Sequence, residues 1–291
     1  MKVATYFDGG PKVGILSADE TAVYPLREFG CDCADMVDFI EMFDETMRAA
    51  IAGALAEGEP GIPLSEVTLL APIPQPRHDI LCVGQNYLAH ALESAKFKGE
   101  EYKKPEHPLI FTKRVRGAVA PEGAIPAHAD FTSQVDYEAE LAVIIGRKCD
   151  HVEPERVFDH LFGYTVVNDV SARDLQSRYG QFAVGKSLDG FTAMGPWIAL
   201  ESGFERPPRL RVATRVNGEP RQDGNTSDFI FDIPRLVSEL SRGITLDPGD
   251  IIITGTPAGV GLGFNPPRFL KPGDVVECEI EGIGMLRNRV E

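Results

Sequence analysis

Apolar positions in the first quarter of the chain alternate in short runs. Lys2 to Phe7, Lys12 to Leu16 and Thr21 to Pro25 read as strands, split by the turn signals Asp8-Gly9-Gly10 and Ser17-Ala18-Asp19. From Cys33 to Ala56 the period lengthens. Met36, Phe39, Ile40 and Phe43 share one helical face, and Met47 and Ile51 continue it, so a helix is expected. Ala71 to Asp79 carries three prolines and reads as a linker. These elements predict a small N-terminal α+β domain over residues 1–71 and a larger domain over 72–291.

The larger unit is richer in strands. Ile80 to Val83 is a short apolar run, Leu88 to Ala95 starts a helix, and Lys96 to His107 lacks periodicity and reads as a mobile loop. Strand-like runs follow at Pro108 to Thr112, in VDYEAELAVIIG (Val135 to Gly146) and in GYTVVND, which ends at Asp169. Pro154 to His160 reads as a short helix. Ser171 is placed to cap another, in SARDLQSRYG. The turn Asn217-Gly218 marks a hairpin, Pro234 opens a helix, and the C-terminal segment alternates strands with Pro-Gly-Asp turns. Regular crossover helices are missing from the pattern, so a β-rich α+β fold with mixed or antiparallel sheets is expected rather than a doubly wound one.

The Val135–Gly146 run holds the first chemical signal. Its apolar pattern is interrupted by Glu138 and Glu140, which share a strand face about 7 Å apart. Two carboxylates within a core strand call for a raised pKa, a basic partner or a metal ion. Asp169, at the end of another apolar strand, adds a third oxygen ligand, and such a set suits Mg²⁺ or Mn²⁺. Spacing alone leaves a second reading open, in which the two glutamates lie on a solvated face and Asp169 caps the following helix. His90 and Glu93, three apart on a helix, read either as an oriented general base or as a surface pair. Arg173, Gln176 and Lys186 are of the types that bind a carboxylate or stabilise an enolate.

Charge and cysteines narrow the classes. With 29 basic and 44 acidic residues the formal charge is −15, which disfavours nucleic-acid and anionic-membrane partners. The five cysteines, Cys31, Cys33, Cys82, Cys149 and Cys278, do not form a disulfide framework. The N-terminal stretch has no apolar signal core and no apolar run is long enough to span a bilayer, so a cytoplasmic protein is expected.

Two motif matches fail on context. Gly180 to Ser187 fits G-x-x-x-x-G-K-[ST], but a helix precedes it and the glycine- and proline-bearing LDGFTAMGP follows, which is unlike a phosphate-cradling loop. Gly255 to Gly263 lacks the G-x-G-x-x-G spacing of a dinucleotide fingerprint. Its glycines fit close backbone approach to a ligand or a tight turn.

Seven ordered motifs carry a resemblance: CVGQNYLAH, VDYEAELAVIIG, YTVVNDVSARDLQ, GKSLDGFTAMGPW, VNGEPRQDGNT, PGDIIITGTPAGVG and EGIGMLRNRV. Over roughly Ile73 to Glu291 the chain resembles the fumarylacetoacetate hydrolase superfamily, in the manner of a bacterial acylpyruvase or diketo-acid hydrolase. The resemblance implies a mixed β-sandwich roll, a homodimer, and Mg²⁺ or Mn²⁺ held by Glu138, Glu140 and Asp169. It places His90 and Glu93 as a dyad on a closing lid, Lys186 near the metal, and Arg173, Gln176 and Thr256 against a small keto-acid substrate. Gln85 stands where many relatives carry Arg.

The implied reaction is hydrolysis of a C–C bond in a short 2,4-diketo acid of the acylpyruvate or fumarylpyruvate type, leaving a pyruvate enolate. The same site chemistry serves oxaloacetate decarboxylation or tautomerisation, isomerisation of an unsaturated dicarboxylate in aromatic catabolism, and ureidoglycolate cleavage. A non-catalytic metal or metabolite binder, of a different class, predicts loss of an acid or of the dyad, and all of these positions are intact.

Overall fold

The computed structural model describes residues 1–57 and 61–291. Its centre is an eleven-stranded mixed sheet. In spatial order it runs Ile62–Pro63, Ala22–Pro25, Pro11–Leu16, Lys2–Phe7, Thr192–Leu200, Leu161–Asp169, Ala139–Ile145, Ile251–Ile253, Ile80–Gly84 and Leu109–Lys113, with Thr68–Leu69 also paired to Lys2–Phe7. The N-terminal strands thus extend the same sheet, through antiparallel pairing of Lys2–Phe7 with Thr192–Leu200. One internal pair, Ile251–Ile253 with Ile80–Gly84, is parallel.

A second, five-stranded sheet is built from Glu219–Asn225, Arg211–Val216, Val275–Ile280, Gly284–Val290 and Ala124–Ile125. The expected Asn217-Gly218 turn closes its hairpin, with both residues at positive φ (+53° and +77°) as a two-residue hairpin of this hand requires. The two sheets share a core: Leu141, Val143 and Ile145 pack with Val212, Val276, Cys278 and Leu286. On the opposite face Ala142 and Ile144 pack with Val3, Ile15, Phe39, Ile40 and Ile51. Because both faces of Ala139–Ile145 are covered, nearly all its residues are apolar. This is the β-rich, mixed-sheet architecture expected, with open sheets and few helices.

Local chemistry sets the element ends, and in three places it departs from expectation. The helix expected over Cys33–Ala56 is two, Met36–Met42 and Glu45–Glu57, because Asp35 and Asp44 each accept amide bonds at a helix start. Ser171 is not a cap. It pairs in a short strand, Ser171–Ala172, with Val135–Asp136, and the helix Arg173–Tyr179 begins after Ala172. The long Val135–Gly146 strand is also split, since its first two residues make that pairing while Ala139–Ile145 joins the main sheet. The helix over His90 runs Leu88–Lys98 and ends at Gly99 in the left-handed region. Among the described residues no helix is long and apolar enough to cross a membrane, and the five cysteines are free thiols.

Candidate metal and catalytic site

Strand parity gathers the acids. On Ala139–Ile145 the even-numbered Ala142 and Ile144 face the helix-covered core, and Glu140 continues that face to the end of the strand. Glu140 lies opposite Val167 in the neighbouring strand; Val167 belongs to the same core, and Asp169 follows two residues on. Glu138 sits in the break between the two strands. Its amide donates to Asn168 Oδ1 at 3.0 Å, and its carbonyl accepts the Asp169 amide at 2.8 Å. Glu138, Glu140 and Asp169 are 4%, 2% and 0% exposed, and one oxygen from each lies within 4.8 Å of the others. The solvated-face reading is ruled out.

Cations surround two of the three acids. Lys186 Nζ donates to Glu138 Oε2 and to Asp169 Oδ2, both at 2.5 Å. Arg173 Nη2 lies 2.7 Å from Glu138 Oε1 as an ion pair. Asp169 Oδ1 accepts from Lys113, a fully buried lysine that also donates to the Val170 and Phe191 carbonyls at 3.1 and 2.6 Å. Glu140 has no such partner among the described residues, only the Gly255 amide at 2.6 Å. Burial pushes Glu138 up, but Lys186, Arg173 and His90 outweigh it and hold the carboxyl below its usual range. Burial raises Glu140 well above that range, and Asp169 and Glu138 raise it further. Burial lowers Lys113 while Asp169 opposes the shift. Counting Asp136, four buried carboxylates meet three cations, so the site is one positive charge short, at Glu140.

That shortfall is the test of fit for a metal, and the residues pass it. Three converging carboxylate oxygens match a hard divalent cation such as Mg²⁺ or Mn²⁺ and lack the nitrogen or sulfur ligands zinc prefers.

His90, Arg173, Gln176, Lys186 and Thr256 line one cavity of about 300 Å³ with Glu138, Glu140 and Gln85, and Glu93 stands behind His90 rather than in the lining. His90 is 8% exposed, and its Nδ1 lies 3.2 Å from Glu93 Oε2. Glu93 Oε1 in turn accepts the Gly259 amide at 3.2 Å, so the dyad is tied to the glycine-rich loop. Gly263 must be glycine for this packing, since a Cβ there would overlap the Glu93 carboxyl. At Gly255 (φ +98°) a Cβ would come within 2.8 Å of the Asn86 Cβ, and the freed approach aims its amide at Glu140. Gln176 lines the wall beside Arg173, its Oε1 3.4 Å from Arg173 Nη1. The Thr256 hydroxyl donates to the Ala139 carbonyl and accepts from Gln222, so much of its capacity goes into holding the loop.

Sequence reasoning passed over Lys113, Asp136 and Gln222. Asp136 accepts Arg173 Nε at 2.9 Å and the amides of Gly261 and Leu262 at 2.6 and 3.0 Å. Its signal was present, because Asp136, Glu138 and Glu140 keep one parity. Gln222 bridges Thr214, Ala139, Thr256 and Pro257 across the two sheets, and no local pattern marks it.

The family model described as fumarylacetoacetate (FAA) hydrolase C-terminal matches residues 79–291. The chain belongs to the fumarylacetoacetate hydrolase family. Oxaloacetate tautomerase YisK of Bacillus subtilis is 51% identical over 227 residues, 78% of this chain and 74% of its own. The fumarylacetoacetate hydrolase of Exiguobacterium antarcticum superposes with a TM-score of 0.85 at 40% identity, covering 100% of this chain and 99% of that one. A maleylpyruvate hydrolase from Sphingobium, solved with manganese(II) and pyruvate, gives 0.78 at 32% identity, covering 100% and 98%. These relatives are enzymes, and this chain is an enzyme of the same family with a carboxylate cluster suited to a divalent cation.

Proposed function

We propose that the protein is a divalent-cation-dependent enzyme that interconverts the keto and enol forms of oxaloacetate. The observation that carries the chemistry is that His90, Glu138, Glu140, Arg173 and Lys186 all face one cavity. The choice of oxaloacetate is supported by the 51% identity to a protein named for that activity. Glu138, Glu140 and Asp169 would hold the cation, which when bound supplies Lewis-acid polarisation of the 2-oxo and carboxylate oxygens.

The chain's own groups do the rest. Glu93 engages His90 Nδ1 and leaves Nε2 to the cavity, where it takes the proton from C3 of the keto form and returns one to oxygen. Lys186, fixed by two carboxylates, sets positive charge beside the oxygen on which negative charge develops. Arg173 and Gln176 hold a substrate carboxylate at the wall. Leu88–Lys98, carrying the dyad, covers the cavity and limits water.

The test is decay of the enol ultraviolet absorbance of fresh oxaloacetate with Mg²⁺ or Mn²⁺. Acceleration that His90→Ala cuts by about 10²-fold or more is expected. No acceleration by the wild type would sink the reading. A second reading, hydrolysis of an acylpyruvate, is supported by the same His90–Glu93 pair, which is equally placed to activate a water. Pyruvate release from acylpyruvates in a coupled assay separates the two.

A further inference from the structure

The cavity lining combines charged and aromatic groups. Besides His90, two of the acids and their cations, the lining carries Val83, Phe97, Phe111, Phe182 and Leu262, with Gln85, Ser94, Gln134 and Ser177 among them. Phe111 lies two residues before Lys113 on one strand and so shares its face. Its ring meets Phe182 edge-on, with centroids 5.1 Å apart, and the Lys186 ammonium lies 5.5 Å from its centroid. The aromatic wall therefore begins directly at the charged floor. It ends at Phe97, which is 54% exposed at the outer end of Leu88–Lys98.

Among the described residues the lining lysine and arginine are Lys186 and Arg173, and both are paired with Glu138 or Asp169. Beyond these two, the described lining carries no lysine or arginine to take a further carboxylate. About 300 Å³ is room for roughly ten waters, and Phe97, Phe111 and Phe182 line part of it.

We propose that the site also tautomerises 2-oxo acids bearing an uncharged aryl or alkyl tail, phenylpyruvate being the simplest aryl case. This rests on the keto–enol reading above. The step balances without a co-reactant. The C3–H bond breaks, its proton passes to His90 Nε2, the C2–C3 double bond forms, and the C2 oxygen gains a proton. The reverse path returns the keto form.

Two probes test it with the full chain and Mn²⁺. Phenylpyruvate tautomerisation is followed by enol absorbance. Benzoylformate, which has the ring and the 2-oxo carboxylate but no enolisable hydrogen, is compared with glyoxylate by calorimetric binding. The ring is expected to tighten binding by on the order of tenfold or more, as burial of a phenyl group predicts. Phe97→Ser and Phe182→Ser should each narrow that ratio by at least about threefold and lower phenylpyruvate relative to oxaloacetate turnover.

Oxaloacetate turnover with benzoylformate binding no tighter than glyoxylate, or with phenylpyruvate inert, overturns this proposal alone. Tighter ring binding with neither keto acid tautomerised overturns it together with the keto–enol reading.

Discussion

Replacing Lys113 by Met removes a cation that never reaches solvent. The ammonium makes three bonds, to Asp169 Oδ1 and to the Val170 and Phe191 carbonyls. Breaking a buried ion pair from one side costs about 3–5 kcal/mol, because the abandoned charge stays buried. Asp169 keeps Lys186 on its other oxygen, which places the loss near the lower end, about 3 kcal/mol. For a chain of this size that lowers Tm by roughly 6–12 °C. The effect should depend on metal. A divalent ion on Glu138, Glu140 and Asp169 brings its own positive charge to the orphaned carboxylate, so the loss in Mn²⁺-saturated protein should be smaller by about 1 kcal/mol or more. Urea unfolding of wild type and Lys113→Met, metal-free and Mn²⁺-saturated, measures both differences. Equal losses in the two states would refute a charge-based role for Lys113, and no loss at all would refute the burial argument.

Glu140 gives a pH signature in metal-free protein. Its folded carboxyl binds a proton more tightly than the unfolded one, so stability is fullest at low pH and falls as pH rises from the usual carboxylate range toward the raised value. Glu140→Gln should abolish that slope and leave the metal-free fold at least as stable near neutral pH; a steeper slope in the variant would contradict the assignment. For the dyad, His90→Ala should lower turnover by about 10²–10⁴-fold with Mn²⁺ affinity within about threefold of wild type, and Glu93→Gln should fall between the two enzymes. Equal activity of all three would remove the dyad from the chemistry.

What could be read from sequence was what depends on local periodicity. Glu138 and Glu140 converge as strand alternation predicts, although Glu138 itself lies in the break between the two strands and is held there by Asn168 and Asp169; His90 and Glu93 meet because helical neighbours recur every three or four residues. Asp169 was legible as an acid closing an apolar strand. Lys113 was not, because its partner Asp169 lies 56 residues away and three strands separate Leu109–Lys113 from Leu161–Asp169 in the sheet. Ser171 misled for the opposite reason: its capping chemistry is real, but pairing with Val135–Asp136 overrides it. The single long helix failed at Asp44, whose carboxylate takes the Met47 amide at 2.7 Å and starts a new helix inside an unbroken apolar stripe. The glycine-rich loop showed its need for close backbone approach. It did not show that the approach is to Glu140 and Glu93, side chains set by the fold.

The most direct test of the metal site is calorimetric titration of Mn²⁺ into metal-free protein at pH 7.5, with Glu140→Gln as the comparison. Wild type should bind one ion per chain with release of protons, since Glu140 must ionise to become a ligand. Glu140→Gln should bind at least about tenfold more weakly and release fewer protons. Wild-type protein that binds no Mn²⁺, or a variant that binds it as tightly with the same proton release, would contradict a metal centre on these three carboxylates.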